Sequence, residues 1–511
     1  MTQIQFTPQP LSQLWPQCPA EHATRMISAI CDDHREINHE QTLFFARRTA
    51  SGQTFAEQAL QAGAQLVLAD ADVIGDAAVL NTTNPAAVLA EIIRNSQGWS
   101  KMPLAITAIT GTNGKTSVAF LLAQLLAAVG VKPALLGTLG AGCVQPDGAV
   151  KLAALKNTTP GVLESWRWLL EFAAQGVEQV VMEVSSHALD QGRVAGLPIT
   201  QAIFTQISRD HLDYHPDFAS YQAAKLSLLD HPGLKSVIMD ADSSWADAIC
   251  KRAKIQSLQP AAFSLEQHND AVLNADINDA RLTGTTVAYQ HNPLKRADPV
   301  QSGLIGRFNV RNLSAALLAA EQLGLRWDAL LGAVPKLTAP TGRMQRVARA
   351  GSGTVFIDYA HTPDALEQVL HTLRTVLAPT GLLWVVFGCG GGRDTGKRPL
   401  MGSVAAALAD RVVLTSDNPR DEDPDQIIAD ILTGIAQPQH TVSVEPDRKA
   451  AIAHALAALG ADDCLLVAGK GHEQGQIVSD RVIAFDDYHV VQQASQQAQG
   501  TVKATTGVMH D

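Results

Sequence analysis

Seven consecutive residues, Gly111, Thr112, Asn113, Gly114, Lys115, Thr116 and Ser117, stand between an apolar run that reads as a strand over 104–109 and an apolar helix over 118–129. Phosphate binding demands that order: glycines let backbone N–H groups approach the oxygens, and the helix N-terminus adds positive potential. Lys115 would then reach the β- and γ-phosphates of a nucleoside triphosphate, and the hydroxyl of Thr116 or Ser117 would hold Mg2+. The general pattern G-x-x-x-x-G-K-[ST] is met only in part, since Ile109 takes the place of its first glycine. Alone, a G-K-T turn can also be an ordinary loop. The strand and helix on its two sides favour the phosphate reading.

A metal at such a loop needs carboxylate or imidazole ligands from elsewhere. Glu183 closes an apolar strand predicted over 179–184, and a Glu in that place is seldom buried without a partner. The plain alternative is a surface Glu at a strand end. Asp210, His211, Asp213 and His215 follow a strand predicted to end near Ile207. A polar turn with structural histidines is the plain alternative there.

The elements that must position these residues follow from length and pattern. At 511 residues the chain exceeds one ordinary core, and about 150 residues per domain gives roughly three domains. The first hundred residues read as a small α/β unit, with strands over 65–69 and 77–80, helices over 56–62 and 86–94, and a linker over 95–103. Apolar runs at 104–109, 179–184, 199–207 and 236–240 alternate with helices, which predicts a mainly parallel, helix-covered sheet. A second break falls at 339–342. Beyond it, runs at 354–358, 382–387, 411–415 and 463–467, with a helix over 363–377, predict a separate α/β domain. The polar residues 496–511 read as a disordered tail.

Composition removes several function classes. Hydrophobic residues at 46% and charged residues at 17% exclude a wholly disordered or collagen-like chain. The formal net charge of −11 excludes the basic footprint of a nucleic-acid binder or an anionic-membrane binder. Six dispersed cysteines without a C-x-x-C pair suit a reducing compartment. Residues 1–20 carry four prolines and lack the basic start and apolar core of a signal peptide, and no run approaches the ~18 apolar residues of a membrane span. A soluble, cytoplasmic protein is expected.

Ten motifs then occur together and in order. They are G-T-N-G-K-T at 111–116, N-T-T-P at 157–160, E-V-S-S-H-A-L-D-Q-G-R at 183–193, D-H-L-D at 210–213, Y-Q-A-A-K at 221–225 and G-R-F-N-V-R-N at 306–312, followed by G-R-M at 342–344, D-Y-A-H-T-P-D at 358–364, D-N-P-R at 417–420 and G-K-G-H-E at 469–473. The series resembles the Mur ligase family, and within it the members that add the third amino acid to the cell-wall precursor. The resemblance is strong over 104–487 and weak before it. It implies an α/β fold of three domains: a smaller N-terminal domain for the UDP-substrate (1–102), a central P-loop domain with a mainly parallel sheet for ATP (103–341), and a C-terminal Rossmann-like domain for the amino acid (342–495), which closes over ATP. It also implies ATP-dependent ligation, in which the substrate carboxylate attacks the γ-phosphate and an amine displaces phosphate from the acyl phosphate. Lys115, Mg2+ and other cations would offset the repulsion between carboxylate and triphosphate.

By the same resemblance, Thr116 and Glu183 correspond to ligands of one Mg2+ and His211 to a ligand of a second. Lys225 corresponds to a lysine that becomes carbamylated; without the family it would read as a solvated lysine on an amphipathic helix. Asn309 corresponds to an adenine contact, and Arg343, Asp358 and His361 to further ATP contacts. Asn157, Thr158, Thr159, Ser185, Gln191 and Arg193 correspond to the muramoyl-dipeptide site. Arg393, Asp417, Asn418, Arg420, Gly469 and Glu473 correspond to the amino-acid site. The implied partners are UDP-N-acetylmuramoyl-L-alanyl-D-glutamate and meso-diaminopimelate, with no nucleic acid, no membrane and a monomeric chain.

Arg420 bears on which amino acid is added. Diaminopimelate differs from lysine by a distal carboxylate, and a guanidinium fork attracts that carboxylate while repelling lysine's ammonium. Two departures from the family pattern keep alternatives open. The usual D-S-R reads Asp33, His34, Arg35, with Ser51 and Gly52 in place of a downstream D-G, and the usual T-N before D-H-L-D reads Thr205, Gln206. The alternatives are a diverged ligase with another carboxylate or amino-acid substrate, as in folylpolyglutamate synthesis, and a nucleotide-binding protein that performs no ligation. Glu183, His211, Lys225 and Arg420 weigh against the second.

Overall fold

Three larger sheets and a two-stranded one organise the described residues, the larger three built where the sequence turns apolar and β-branched. The structure, a computed structural model, describes residues 3–46, 52–70, 77–99, 104–211, 214–347, 353–435 and 441–495. The tail expected over 496–511, the end of the expected linker, Ser51 and Asp213 lie outside these residues. The chain divides into two units, Met1–Asn274 with Asn312–Ala333, and Ala275–Arg311 with Val334–Asp511.

In the first unit, Gln3–Pro10, Met26–Cys31, Thr42–Phe45, Leu66–Asp70 and Val79–Thr82 form one sheet in that order, with only the first pair antiparallel. Pattern reading found the last two strands and missed the first three. Gln3–Pro10 carries two prolines and an irregular register between Gln5 and Gln9, features that an edge strand tolerates and a central one does not. Met26–Cys31 and Thr42–Phe45 are short buried runs without alternation, where periodicity cannot decide. The linker expected from residue 95 starts too early. The helix Pro85–Gln97 runs through that position, capped at its start by the Asn84 side chain and ended by left-handed Gly98 (φ 62°).

The same unit holds the strands Gly140–Cys143, Pro133–Gly137, Gln179–Glu183, Ala105–Thr110, Ile199–Phe204, Ser236–Asp240 and Pro260–Ser264, in that spatial order. All neighbours are parallel except the first pair. Ala105–Thr110 is central, with Ile109 beside Glu183 and Thr110 beside Phe204, so three adjacent strands end together. In such sheets, ligands bind at the carboxyl ends of the strands. The helix Lys115–Ala128 is apolar on nearly every face and buried along most of its length. Helix Pro85–Gln97 shares its core with this sheet through Trp99, which meets Trp166 edge to face at 5.0 Å. Trp166 is fully buried, so Trp166→Ala should cost about 3–5 kcal/mol, read as a lowered midpoint of urea unfolding.

In the second unit the sheet order is Gln345–Val347, Thr354–Asp358, Cys464–Ala468, Leu383–Phe387, Arg411–Leu414 and Thr441–Val444, again parallel except for the first pair. Helices Pro363–Val376, Lys397–Leu408, Pro424–Leu432 and Arg448–Ala458 contribute to the apolar cores of this unit. A short hairpin, Gly475–Val478 with Arg481–Ala484, follows the last long strand. The α/β class and the mainly parallel central sheet are as expected. All six cysteines are free, and among the described residues no helix is long and apolar enough to cross a membrane.

Candidate active site

The strand Ala105–Thr110 runs straight into the glycine loop. At Gly111 (φ 149°) an added Cβ would lie 1.9 Å from Thr205 Oγ1, and at Gly114 (φ 90°) it would lie 2.7 Å from Asn312 Oδ1. Neither position accepts a side chain. Lys115 Nζ folds back to donate to Gly111 O at 2.9 Å and Thr112 O at 2.8 Å. Asn113 is exposed and Ser117 half-buried in the first helical turn. The loop is latched from the neighbouring strand: Thr112 N donates to Gln206 O at 2.7 Å, and Thr205 Oγ1 donates to Asn113 O at 2.7 Å. Gln206 accommodates its longer amide by donating to Asp240 Oδ2 at 2.6 Å.

Glu183 is not a surface residue. It is buried and accepts from Thr116 Oγ1 at 2.8 Å, Thr138 N at 2.8 Å and Thr138 Oγ1 at 3.1 Å. Gly137 makes room for it, since a Cβ there would lie 2.4 Å from Glu183 Oε1. Thr138 was not foreseen, because it reaches Glu183 from another strand end and carries no local signal. Among the described residues no group of three His, Cys, Asp or Glu side chains could hold a metal unaided. Mg2+ carried with a triphosphate needs only one or two protein oxygens, and the hydrogen-bonded Thr116–Glu183 pair offers them.

Lys225, on the helix Phe218–Leu226, is 1% exposed, which rules out a solvated lysine. Its Nζ donates to Gly111 O at 2.7 Å and lies 4.6 Å from the Tyr221 ring centroid. Burial, helped by the positive charge of Lys115, pulls its ammonium down to about 6. Tyr221 hydrogen-bonds Thr112 Oγ1 at 2.8 Å, and burial pushes its phenol up to about 12. His211 adopts a left-handed φ of 52°, with its Nε2 3.5 Å from Asp210 Oδ2 and its ring 5.0 Å from that of His187.

The candidates for the peptide site gather at the end of Gln179–Glu183. Thr159 Oγ1 donates to Glu183 O at 2.9 Å and accepts from Ser185 N at 3.0 Å, while Ser185 Oγ caps the next helix through Ala188 N at 3.2 Å. Arg193 binds Gln191 Oε1 at 2.8 Å and Thr159 O at 3.1 Å. Thr158 Oγ1 meets Thr138 Oγ1 at 3.2 Å, and Asn157 stands exposed beside it. In the N-terminal sheet, Asp33 grips Arg35 through both carboxylate oxygens, which pulls its carboxyl down to about 2, and His34 stacks on Phe55 with centroids 6.2 Å apart.

The second unit carries the remaining candidates. Asn309 is buried and donates to Ile305 O at 2.9 Å. Both oxygens of Asp358 are taken by backbone amides, Met344 N at 2.7 Å and Ala360 N at 2.8 Å. Burial pushes the Asp358 carboxyl upward against the opposing pull of Arg343 and these amides. The Arg343 guanidinium lies 4.6 Å over the Tyr359 ring, and His361 Nδ1 sits 2.8 Å from Tyr359 O. Beyond the carboxyl ends of the parallel strands, Asn418 Nδ2 donates to Glu473 Oε2 at 2.8 Å, and Arg420 Nη1 donates to Gly391 O at 2.6 Å from a backbone held at φ 54°. Asp417 is buried, Gly469 (φ 111°) turns the chain beside it, and Arg393 is exposed in the glycine loop. Lys470 was missed, although it lies within the G-K-G-H-E motif. It is fully buried, with Nζ 2.9 Å from Asn418 Oδ1, 3.2 Å from Glu473 Oε2 and 3.5 Å from Asp417 Oδ1.

Comparison with known proteins gives this arrangement relatives. Residues 109–320 match the Mur ligase middle domain, and residues 342–471 match the Mur ligase glutamate ligase domain. The chain is 39% identical over 491 residues to the UDP-N-acetylmuramoyl-L-alanyl-D-glutamate--2,6-diaminopimelate ligase of Xanthomonas campestris pv. campestris, covering 95% of this chain and 97% of that protein. It is 38% identical over 496 residues to the ligase of the same name from Pseudomonas aeruginosa, covering 95% and 98%. A solved structure of a ligase with that name superposes with a TM-score of 0.74 at 36% identity, over 96% of this chain and 100% of the other. A folylpolyglutamate synthase from Thermotoga maritima, at 16% identity and a TM-score of 0.55 over 74% of this chain and 89% of its own, shares the fold alone. Its glycine loop, buried glutamate and identity along nearly the whole length of these relatives make the chain a member of the Mur ligase family.

Proposed function

We propose that the protein joins meso-diaminopimelate to UDP-N-acetylmuramoyl-L-alanyl-D-glutamate at the expense of ATP. The observation that carries this reading is Arg420, whose guanidinium reaches Gly391 O from the same D-N-P-R turn that holds Asp417 and the Glu473-bound Asn418, in a chain whose relatives bear the diaminopimelate ligase name. In this reading residues 1–102, 103–341 and 342–495 serve the UDP-substrate, ATP and the amino acid, respectively.

The glycine loop receives the triphosphate through its backbone N–H groups and the start of helix Lys115–Ala128. Lys115 exchanges its two loop carbonyls for phosphate oxygens. The D-glutamyl carboxylate displaces ADP from the γ-phosphorus, giving an acyl phosphate, and the incoming amine displaces phosphate and releases a proton, giving the amide. Thr116 and Glu183 would hold Mg2+, which offsets the charge on the phosphates as the carboxylate approaches. His211 would contribute to a second such position. Lys225, neutral above pH 6, adds through its lone pair to the carbon of CO2 and loses a proton, which converts a would-be cation into a carbamate anion. Thr158, Thr159, Ser185, Gln191 and Arg193, with Asn157, orient the dipeptide, and Asn309, Arg343, Asp358 and His361 serve the nucleotide.

A phosphate-release assay with the UDP-muramoyl-dipeptide tests the reading. Diaminopimelate should drive turnover, whereas lysine or no amino acid should leave only background. Equal rates with lysine would remove the assigned specificity, and turnover with a folate substrate in place of the dipeptide would favour the other ligase class.

A further inference from the structure

Lys470 lies at the centre of the amino-acid candidates. Its side chain is wholly buried, and its three donors are spent on Asn418 Oδ1 (2.9 Å), Glu473 Oε2 (3.2 Å) and Asp417 Oδ1 (3.5 Å). A buried ammonium is tolerated only where such partners replace its water. Lys470 therefore fixes the atoms it touches.

The Asn418 amide is oriented from both ends. Its oxygen accepts from Lys470 Nζ at 2.9 Å and from Ile477 N at 3.0 Å, and its nitrogen donates to Glu473 Oε2 at 2.8 Å. Both side-chain contacts on Glu473 fall on Oε2, so among the described residues Oε1 carries no hydrogen bond, and the side chain is one-third exposed. Asp417 likewise spends Oδ1 on Lys470, while its Oδ2 faces the bare Gly469, 3.7 Å from where a Cβ would stand. One lysine thus fixes two carboxylates, each with one oxygen left over. The pair keeps a net charge of −1, the sum of two carboxylates and one ammonium, which suits a substrate ammonium.

We propose that Lys470 is the positioning residue of this site: it locks Asn418 and Glu473 so that the free Glu473 oxygen receives the distal ammonium of the incoming amino acid. This rests on the ligase reading above. Without Lys470, two neighbouring carboxylates lose their shared cation. Glu473 then turns away from its neighbour, and the ammonium acceptor is lost.

The test compares diaminopimelate with 2-aminopimelate, which keeps both carboxylates and lacks the distal amino group. Wild type should prefer diaminopimelate in kcat/KM by about 50-fold, the worth of one charge-assisted hydrogen bond. Lys470→Met should cut this preference below about 5-fold, raise KM for diaminopimelate about tenfold or more, and leave KM for ATP within about twofold. If Lys470→Met does not fold, Lys470→Gln, which keeps a donor but no charge, serves for the same ratio. A folded variant with the wild-type preference overturns the proposal, as does an equal rise in both KM values. Failure of wild type to use diaminopimelate would instead defeat the ligase reading, a distinguishable result.

Discussion

Lys225→Ala should lose about a thousandfold in kcat, with KM for ATP changed little. The reason is electrostatic. An ordinary lysine would bring a second cation beside Lys115, yet Lys225 is buried against Gly111 O and its ammonium is pulled down to about 6, so the neutral amine dominates at neutral pH. That amine is the form that captures CO2. Activity should therefore fall as the pH drops through about 6, and 13CO2 should give wild type a carbamate carbonyl resonance that the variant lacks. Wild-type turnover in Lys225→Ala would remove the carbamate from the mechanism. Burial of this lysine also acts on stability. Between the folded value of about 6 and the unfolded 10.5 the unfolded chain binds more protons, so stability rises with pH across that window. In CO2-free buffer at pH 7, Lys225→Met should be more stable than wild type while remaining inactive, read as a raised midpoint of urea unfolding.

The second large effect is at Arg420. Arg420→Ala should raise KM for diaminopimelate about 100-fold, the worth of a bidentate charge-assisted contact, and leave KM for ATP within about twofold. The guanidinium needs little preparation, because its backbone is already held in the left-handed region at φ 54° by Arg420 N to Ile477 O at 3.0 Å and Ser479 N to Arg420 O at 2.7 Å. Arg420→Lys should recover only part of the loss, since an ammonium cannot form the fork. Steady-state titrations of both substrates decide the matter. Equal changes in the two KM values would show that Arg420 does not select the amino acid.

Much of this was legible in the sequence because it was local. The glycine loop declares itself through a strand, two indispensable glycines and an apolar helix, and the D-N-P-R turn sits at the end of a β run. Thr138 and Lys470 were illegible for the opposite reason. Each acts across a sheet on residues far along the chain, Thr138 on Glu183 and Lys470 on Asp417 and Asn418, and spacing carries no trace of such contacts. Lys225 shows a third case. The helical pattern predicted its helix but gave its face as solvated, and only packing against Tyr221 and Gly111 reversed that. The first three strands were lost to prolines at an edge and to buried runs too short to show a period.

The latch on the glycine loop has an evolutionary corollary. Thr112 is held by the backbone carbonyl of Gln206, whereas the Gln206 side chain points to Asp240. The loop is thus blind to which side chain stands at 206, and selection on that side chain acts through its partner. Positions 206 and 240 should drift as a pair among related sequences, each exchange at one answered at the other, while the glycines they serve stay fixed.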